Sequence, residues 1–422
     1  MKIWGIFLDR DKNTEKSITI ALPTPERVYV PVPHDGEAEV KAGQWVLAGS
    51  RISSGMVPSH ASVSGKVEEI KRIDDPVGSY DAVVIKADAE QKQAAVKMPR
   101  ADDRDSFISA VCASGCTAGF KLAAARDADI LIINGTESEQ YVTSEYRCIL
   151  DDSQLITAGI ALTSRLMGIE NIIVAVPNDL PEAISAMEKT AGEVKGCTVS
   201  KVRPDYPGGS DLVLVNNLAE RKLRAGETAA DQKVLILMPS EAAFIASYFE
   251  TGVPFIKRRV TVDGDLVKTP CVVEAPVGTP LSELLAFADA NVDPAEKLVV
   301  GGMMTGRSVT DTELPLGKND DAVLIFMKPI DPGKGSLKIS DAKTNCIKCG
   351  RCMRACPISL MPMRIEKALH KKKNRKAELA RLRPELCIRC GACTYVCPAK
   401  RDLNRVIERA NELLDRKESE EE

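Results

Sequence analysis

From residue 17 to residue 87, apolar and polar positions alternate in short runs broken by proline and glycine. SITIALPTPERVYVPVP (17–33), EAEVKAGQWVLAGSRIS (37–53) and HASVSGKVEEI (60–70) each read as strands around a turn, with no helical period between them. This predicts a small all-β module, a sandwich hybrid or barrel, over 1–87. DAEQKQAAVKMPRADDR (88–104) is polar and aperiodic and reads as a linker. The pattern then changes. DILIIN (129–134), NIIVAVP (171–177), DLVLVN (211–216) and KVLILMP (233–239) are short apolar runs that read as strands. DSQLITAGIALTSRLMG (152–168) and LPEAISAMEKTAGEV (180–194) carry a helical period between them. Alternation of that kind predicts βαβ units and a largely parallel sheet over 105–250.

Short strands return in KRRVTVDGDLV (257–267), KLVVGGMM (297–304) and DDAVLIFMK (320–328), with one helix in TPLSELLAFADA (279–290). They predict a small α+β module over 251–328. PIDPGKGS (329–336) is Pro/Gly punctuation, so 329–340 reads as a linker. A cysteine-rich segment follows over 341–410. IEKALHKKKNRKAELARLRPEL (365–386) within it reads as one basic helix, either a solvated face or a docking surface for an acidic redox partner. The last stretch, 411–422, reads as a charged, frayed tail.

Composition narrows the classes. A chain of 422 residues, 44% hydrophobic, is long enough for several cores. A net charge of −3 and an aromatic content of 4% argue against a nucleic-acid surface. MKIWGIFLDRDK does not read as a signal peptide, and no apolar run approaches the ~18 residues of a membrane span. The expectation is a soluble, cytoplasmic protein.

Eight of the 13 cysteines fall into a motif written twice. Cys346, Cys349, Cys352 and Cys356 precede Pro357, and Cys387, Cys390, Cys393 and Cys397 precede Pro398. The two-residue gaps let three thiolates of one tight loop converge on a cluster face. In two-cluster ferredoxins the fourth cysteine ligates the other cluster. The spacing therefore predicts one [4Fe–4S] cluster on Cys346, Cys349, Cys352 and Cys397, and a second on Cys387, Cys390, Cys393 and Cys356. Zinc sites built from Cys-x2-Cys pairs fit two triplets poorly. Gly350 and Gly391 stand where each loop must turn close to its cluster.

The ordered set of stretches resembles the RnfC family, the C subunits of Rnf electron-transport complexes, over about residues 20–407. VYVPVPHDGEAEVKAGQWVLAGSRI with His34, HASVSGKV, ILIINGTESEQYVTSEYR, RRVTVDGDLVKTP and VVGGMMTG carry the likeness, and the twin cysteine motifs close it. The resemblance implies an α/β domain like the flavin subunit of complex I, an SLBB (ubiquitin-like) module and a two-cluster ferredoxin-like domain. It implies FMN taking hydride from NADH and passing single electrons to the clusters. It also implies a redox protein partner. That partner is a set of Rnf-type membrane subunits at the inner face of the membrane, or a soluble reductase such as D-proline reductase. A third reading makes the chain a docking or assembly subunit with structural clusters.

One loop departs from the family. Where the family cradles the FMN phosphate in a glycine run ending Phe-Pro-Thr, this chain has Ser114, Gly115, Cys116, Thr117, Ala118, Gly119, Phe120, Lys121 and Leu122. Gln140 also replaces a proline. Gly115, Gly119, Phe120 and Lys121, with Asn134, Glu137 and Glu139 after the first α/β strand, are the candidate cofactor residues. Lys121 could supply a charge for the phosphate. Cys112 and Cys116 in the same loop read either as small core residues or as a thiol redox pair replacing or accompanying flavin. Cys148, Cys197 and Cys271 read as core, and GGMMTG (301–306) as a turn packed on the α/β domain.

Overall fold

The structure is a computed structural model that describes residues 2–3, 5–9, 11–224, 226–293, 295, 297–327 and 343–415. The linker read at 329–340 and the tail beyond 415 lie outside the described residues.

The N-terminal module is an antiparallel sheet. Strands β2 (Arg27–Pro31), β3 (Trp45–Val46), β4 (Gly65–Asp75) and β5 (Gly78–Ala87) lie in the order β2-β5-β4-β3, with a register shift between Val67 and Glu69. Alternate side chains face in, and Val28, Val30, Ile52, Val67, Val83 and Ile85 form the core. Strand β1 (Thr19–Ala21) was expected here but leaves the module and joins the sheet of residues 257–326. Its Ile20 and the neighbouring Ile18 are exposed, so alternation alone could not say which sheet would take it.

The α/β domain begins with helices α1 (Arg104–Ala113) and α2 (Ala118–Ala124). Strand β6 (Ile130–Asn134), helix α3 (Ser144–Met167), strand β7 (Asn171–Pro177), helix α4 (Pro181–Ala191) and strand β8 (Cys197–Val202) follow. Helix α5 (Asp211–Asn217), strand β9 (Val234–Leu237) and helix α6 (Pro239–Thr251) complete it. The sheet is wholly parallel in the order β8-β7-β6-β9. Apolar clusters cover both of its faces, which is why ILIIN reads as an unbroken apolar run. DLVLVN, read as a strand, is helix α5 instead. A short apolar run fits either period, and the helix forms here with Ser210 at its N-cap position but without a side-chain capping bond. The edge of the sheet is taken by CTVSKV, half-buried and only weakly apolar.

The third module is a six-stranded mixed sheet. It holds β10 (Lys257–Asp263), β11 (Cys271–Pro276), helix α7 (Leu281–Phe287), β12 (Lys297–Val300), β13 (Arg307–Val309) and β14 (Ala322–Phe326). The strand order is β1-β11-β10-β14-β12-β13.

The C-terminal domain is helical: α8 (Arg351–Arg354), α9 (Pro362–Leu369), α10 (Arg375–Leu382), α11 (Ala392–Tyr395) and α12 (Leu403–Asp415). Ile365, Ala368, Leu379, Leu403, Ile407 and Ala410 form a core shared with Cys352 and Cys393. The expected single basic helix is two, because the chain turns between them at Asn374 (φ 55°). Pro384 ends the second. Residues 411–415, read as tail, belong to α12.

Candidate functional site: two cysteine hollows and the corner that faces them

The two cysteine motifs fold almost identically. Gly350 (φ 73°) and Gly391 (φ 71°) precede the short helices α8 and α11, and Lys348 (φ 57°) matches Arg389 (φ 56°). The left-handed glycines let each loop wrap back so that its thiols converge. One hollow of about 350 Å³ is lined by Cys346, Cys349, Cys352 and Cys397. The other, of about 300 Å³, is lined by Cys356, Cys387, Cys390 and Cys393. Each takes three cysteines from one motif and the fourth from the other.

The residues present fit a cluster better than a single ion. Among the described residues, no three His, Cys, Asp or Glu side chains converge closely enough to hold one ion. Four thiols line each hollow, three from one tight loop, a grouping that zinc sites built from Cys-x2-Cys pairs do not share. Backbone N–H groups already aim at sulfur: Leu360 N donates to Cys356 Sγ at 3.3 Å and Arg389 N to Cys387 Sγ at 3.4 Å. Apolar walls of Leu360, Ile388 and Ile407, or of Ile347, Met363 and Leu403, complete the sites.

Their surroundings differ. Cys346 and Cys349 are exposed. The Cys390 side of the other hollow instead meets the α/β domain. The Tyr206 hydroxyl, on the loop after β8, donates to the Cys390 carbonyl at 2.5 Å. Tyr206 packs with Ala355, Ala392, Ile6, Leu8, Met304 and Val396. The N-terminal segment runs over the same corner. Ile6 N bonds Tyr206 O at 2.8 Å, Gly5 N bonds Asp205 Oδ2 at 2.9 Å, and Ile3 pairs with the Asn217 amide. Tyr206 and this segment were not picked out by sequence reasoning. The Tyr-Pro-Gly-Gly turn at 206–209 is the signal that could have found the tyrosine.

The carboxyl ends of β6 and β9 meet at the switch point of the sheet, where open α/β folds bind ligands. Lys121 Nζ pairs with Glu241 Oε2 at 2.7 Å there, and Glu241 also accepts from Met238 N at 2.8 Å. Asp211 lies nearby, its pKa raised by burial. Asn134 Nδ2 donates to Gly209 O at 2.9 Å, and its Oδ1 accepts from Thr136 Oγ1 at 2.6 Å. Two of the predicted contacts do internal work instead. Glu137 accepts from Glu145 N at 2.8 Å and Tyr146 N at 3.0 Å, capping α3. Glu139 accepts from Met304 N at 2.6 Å and from Thr305 Oγ1, tying the loop to the GGMMTG turn. Burial raises both carboxyl pKa values. Phe120 is exposed on α2.

The altered loop is less altered toward a ligand than its letters suggest. Ser114 and Cys116 are fully buried, and Ser114 Oγ donates to Val111 O at 2.6 Å. Both side chains point into the core. A Cβ on Gly119 would stand 2.8 Å from Cys112 Sγ, and one on Gly115 would stand 2.6 Å from Pro58 O, so these glycines serve close packing. Of the three residues that replace glycine, only Thr117 reaches the surface, bonding Asn319 at 2.9 Å. On the outer face the Lys121 ammonium already pairs with Glu241, and the Gly119 and Phe120 N–H groups bond the Cys116 and Thr117 carbonyls, so an anionic group such as a flavin phosphate would have to displace these partners.

The thiol-relay reading is not favoured. Cys112 and Cys116 are free and buried. Burial pushes the Cys116 thiol up to about 12 and raises Cys112, leaving little thiolate to react. Cys148 and Cys271 are buried and Cys197 is half-buried. Among the described residues no helix is long and apolar enough to cross a membrane.

Comparison with known proteins matches four family models in order. These are the RnfC barrel sandwich hybrid domain (3–90), the Nuo51 FMN-binding domain (106–245), the SLBB domain (259–308) and a 4Fe-4S dicluster domain (345–400). The chain is 30% identical over 366 residues to the C subunit of the Na(+)-translocating ferredoxin:NAD(+) oxidoreductase complex of Acetobacterium woodii, covering 81% of each chain. It is 29% identical over 386 residues to the C subunit of the proton-translocating ferredoxin:NAD(+) oxidoreductase complex of Clostridium ljungdahlii, covering 85% of this chain and 82% of that protein. Its fold is similar to a chain of an NAD+-reducing [NiFe]-hydrogenase, with TM-score 0.51 at 17% identity, over 73% of this chain and 63% of that one.

Proposed function

The chain belongs to the RnfC family, and we propose that it relays electrons between an NADH- or flavin-linked donor at its α/β domain and a protein acceptor. The observation that carries this is the pair of four-cysteine hollows, one of them bonded to the α/β domain through Tyr206. Cys346, Cys349, Cys352 and Cys397 would hold one [4Fe–4S] cluster, and Cys387, Cys390, Cys393 and Cys356 the other. Lys121 and Asn134, on exchanging Glu241 and the Gly209 carbonyl for the ligand, would hold FMN. Bound FMN converts the two-electron chemistry of hydride into single electrons, and bound clusters carry electrons one at a time.

The chain's own residues do the rest. Tyr206 spans from the carboxyl end of β8 to the Cys390 loop and fixes its position. Ile6, Leu8, Met304 and Val396 close the seam between them and exclude water. Glu139 and the GGMMTG turn hold the third module against the same corner. The sequence of sites is then α/β corner, covered cysteine site, exposed cysteine site. The acceptor is a redox protein, and in an Rnf-type assembly the chain would sit peripherally at the inner membrane face. Anaerobic stopped-flow with NADH tests the reading. Flavin bleaching followed by cluster bleaching supports it, and clusters that stay oxidised while dithionite reduces them would contradict it.

A further inference from the structure

We infer that the loop Cys346–Arg354 is a docking port for a small acidic redox protein, which exchanges electrons with the exposed cysteine site. The inference rests on the two-cluster reading above. Tyr206 and the N-terminal segment pack against the Cys390 loop of the other site, whereas Cys346 and Cys349 are exposed, so the first loop is the one open to a partner. Ile347 is 66% exposed and Met353 is 43% exposed, an unusual pair of apolar side chains on a cysteine loop. Lys348, Arg351 and Arg354 stand around them, exposed, and none has an ion-pair partner among the described residues. From Lys343 to Arg364 the chain carries five basic residues and no acidic one.

The more obviously basic stretch is a different kind of surface. On the α9–α10 hairpin Lys371 pairs with Glu378, and beyond it Arg383 pairs with Glu385. Its charge is partly neutralised from within and it presents little apolar surface. An apolar centre with an uncompensated cationic rim fits a partner whose apolar contact is ringed by carboxylates. Its field steers such a partner to the edge where Cys346 and Cys349 are exposed.

The test uses the full chain purified anaerobically, reduced with dithionite and freed of excess reductant. The probe is an oxidised acidic two-cluster ferredoxin. Each transfer moves one electron from the reduced chain to the oxidised probe, with no bond or proton changing. The second-order rate constant is expected to fall about tenfold or more between low and high salt. Charge reversal at Lys348→Glu, Arg351→Glu and Arg354→Glu together is expected to lower it on the order of tenfold to a hundredfold at low salt. Met353→Ser is expected to lower it with the salt dependence kept. Iron content, the EPR of both clusters and the reduction of an uncharged quinone serve as controls and are expected to be unchanged. Reversal at Lys372 and Lys373 is expected to leave transfer unchanged. Salt-independent transfer with both clusters intact would overturn the port alone, as would slowing by the hairpin variant instead. Absence of iron would defeat the two-cluster reading, and the port with it.

Discussion

Cys349 and Cys390 occupy the same place in two copies of one motif, yet Cys349 is exposed while the Cys390 carbonyl is held by Tyr206. Their loops share a backbone path, down to the left-handed glycine that follows each. What differs is what the rest of the chain lays against them. The second motif meets the loop after β8, the N-terminal segment and the GGMMTG turn, whereas Cys346 and Cys349 of the first stay open to solvent. Local sequence makes two like sites, and tertiary packing sets one loop against the α/β domain and leaves the other open to solvent.

The strongest way to break that comparison is to remove a ligand from each site in turn. Cys387→Ala and Cys346→Ala are each expected to cut iron from about eight to about four atoms per chain. Only Cys387→Ala is expected to stop NADH from reducing the remaining cluster. If Cys346→Ala has that effect instead, the order of the two sites is reversed. Oxygen separates the sites next. Timed air exposure followed by EPR is expected to erase the Cys346/Cys349 cluster several-fold sooner than the covered one, because solvent access governs attack. Equal loss would show that the covering does not shield.

Tyr206→Phe probes the seam more gently. Losing a buried hydrogen bond worth about 0.5–1.5 kcal/mol is expected to shift one cluster potential by about 20–60 mV and leave the other in place. Redox titration by EPR reads this directly, and equal movement of both potentials would contradict the assignment.

The smallest expected effect lies away from both sites. Lys318 Nζ donates to Pro58 O at 2.8 Å, and burial lowers its pKa from 10.5 to about 8. Below about 8 the lysine is charged in both folded and unfolded chains, so the folded state bears the full desolvation cost. Between about 8 and 10.5 the unfolded chain binds more protons, so stability is expected to rise with pH. Denaturant midpoints should show that rise, and Lys318→Met should flatten it.

Much of this was legible in the sequence. The twin motif pointed to the eight cysteines, and the two hollows group them three from one motif and one from the other, because Cys-x2-Cys-x2-Cys-x3-Cys-Pro is a local geometric instruction. The module order was legible too, since the hydrophobic period changes at each boundary. The misreadings came where local signal is ambiguous or where the decision is long-range. DLVLVN fits either a strand or a helix over so few residues. Thr19–Ala21 joins a partner strand about 250 positions away. The roles of Glu137 and Glu139 depend on what they meet, one on a helix N-terminus and the other on a turn of the third module. The loop that departs from the family's glycine run has two of its three replacements, Ser114 and Cys116, turned inward. That direction cannot be read without the fold.

The central claim is that eight cysteines hold two [4Fe–4S] clusters. Iron and acid-labile sulfide measured on the anaerobically purified chain test it most directly. About eight of each per chain are expected. Iron near zero, or two zinc ions in its place, would contradict it.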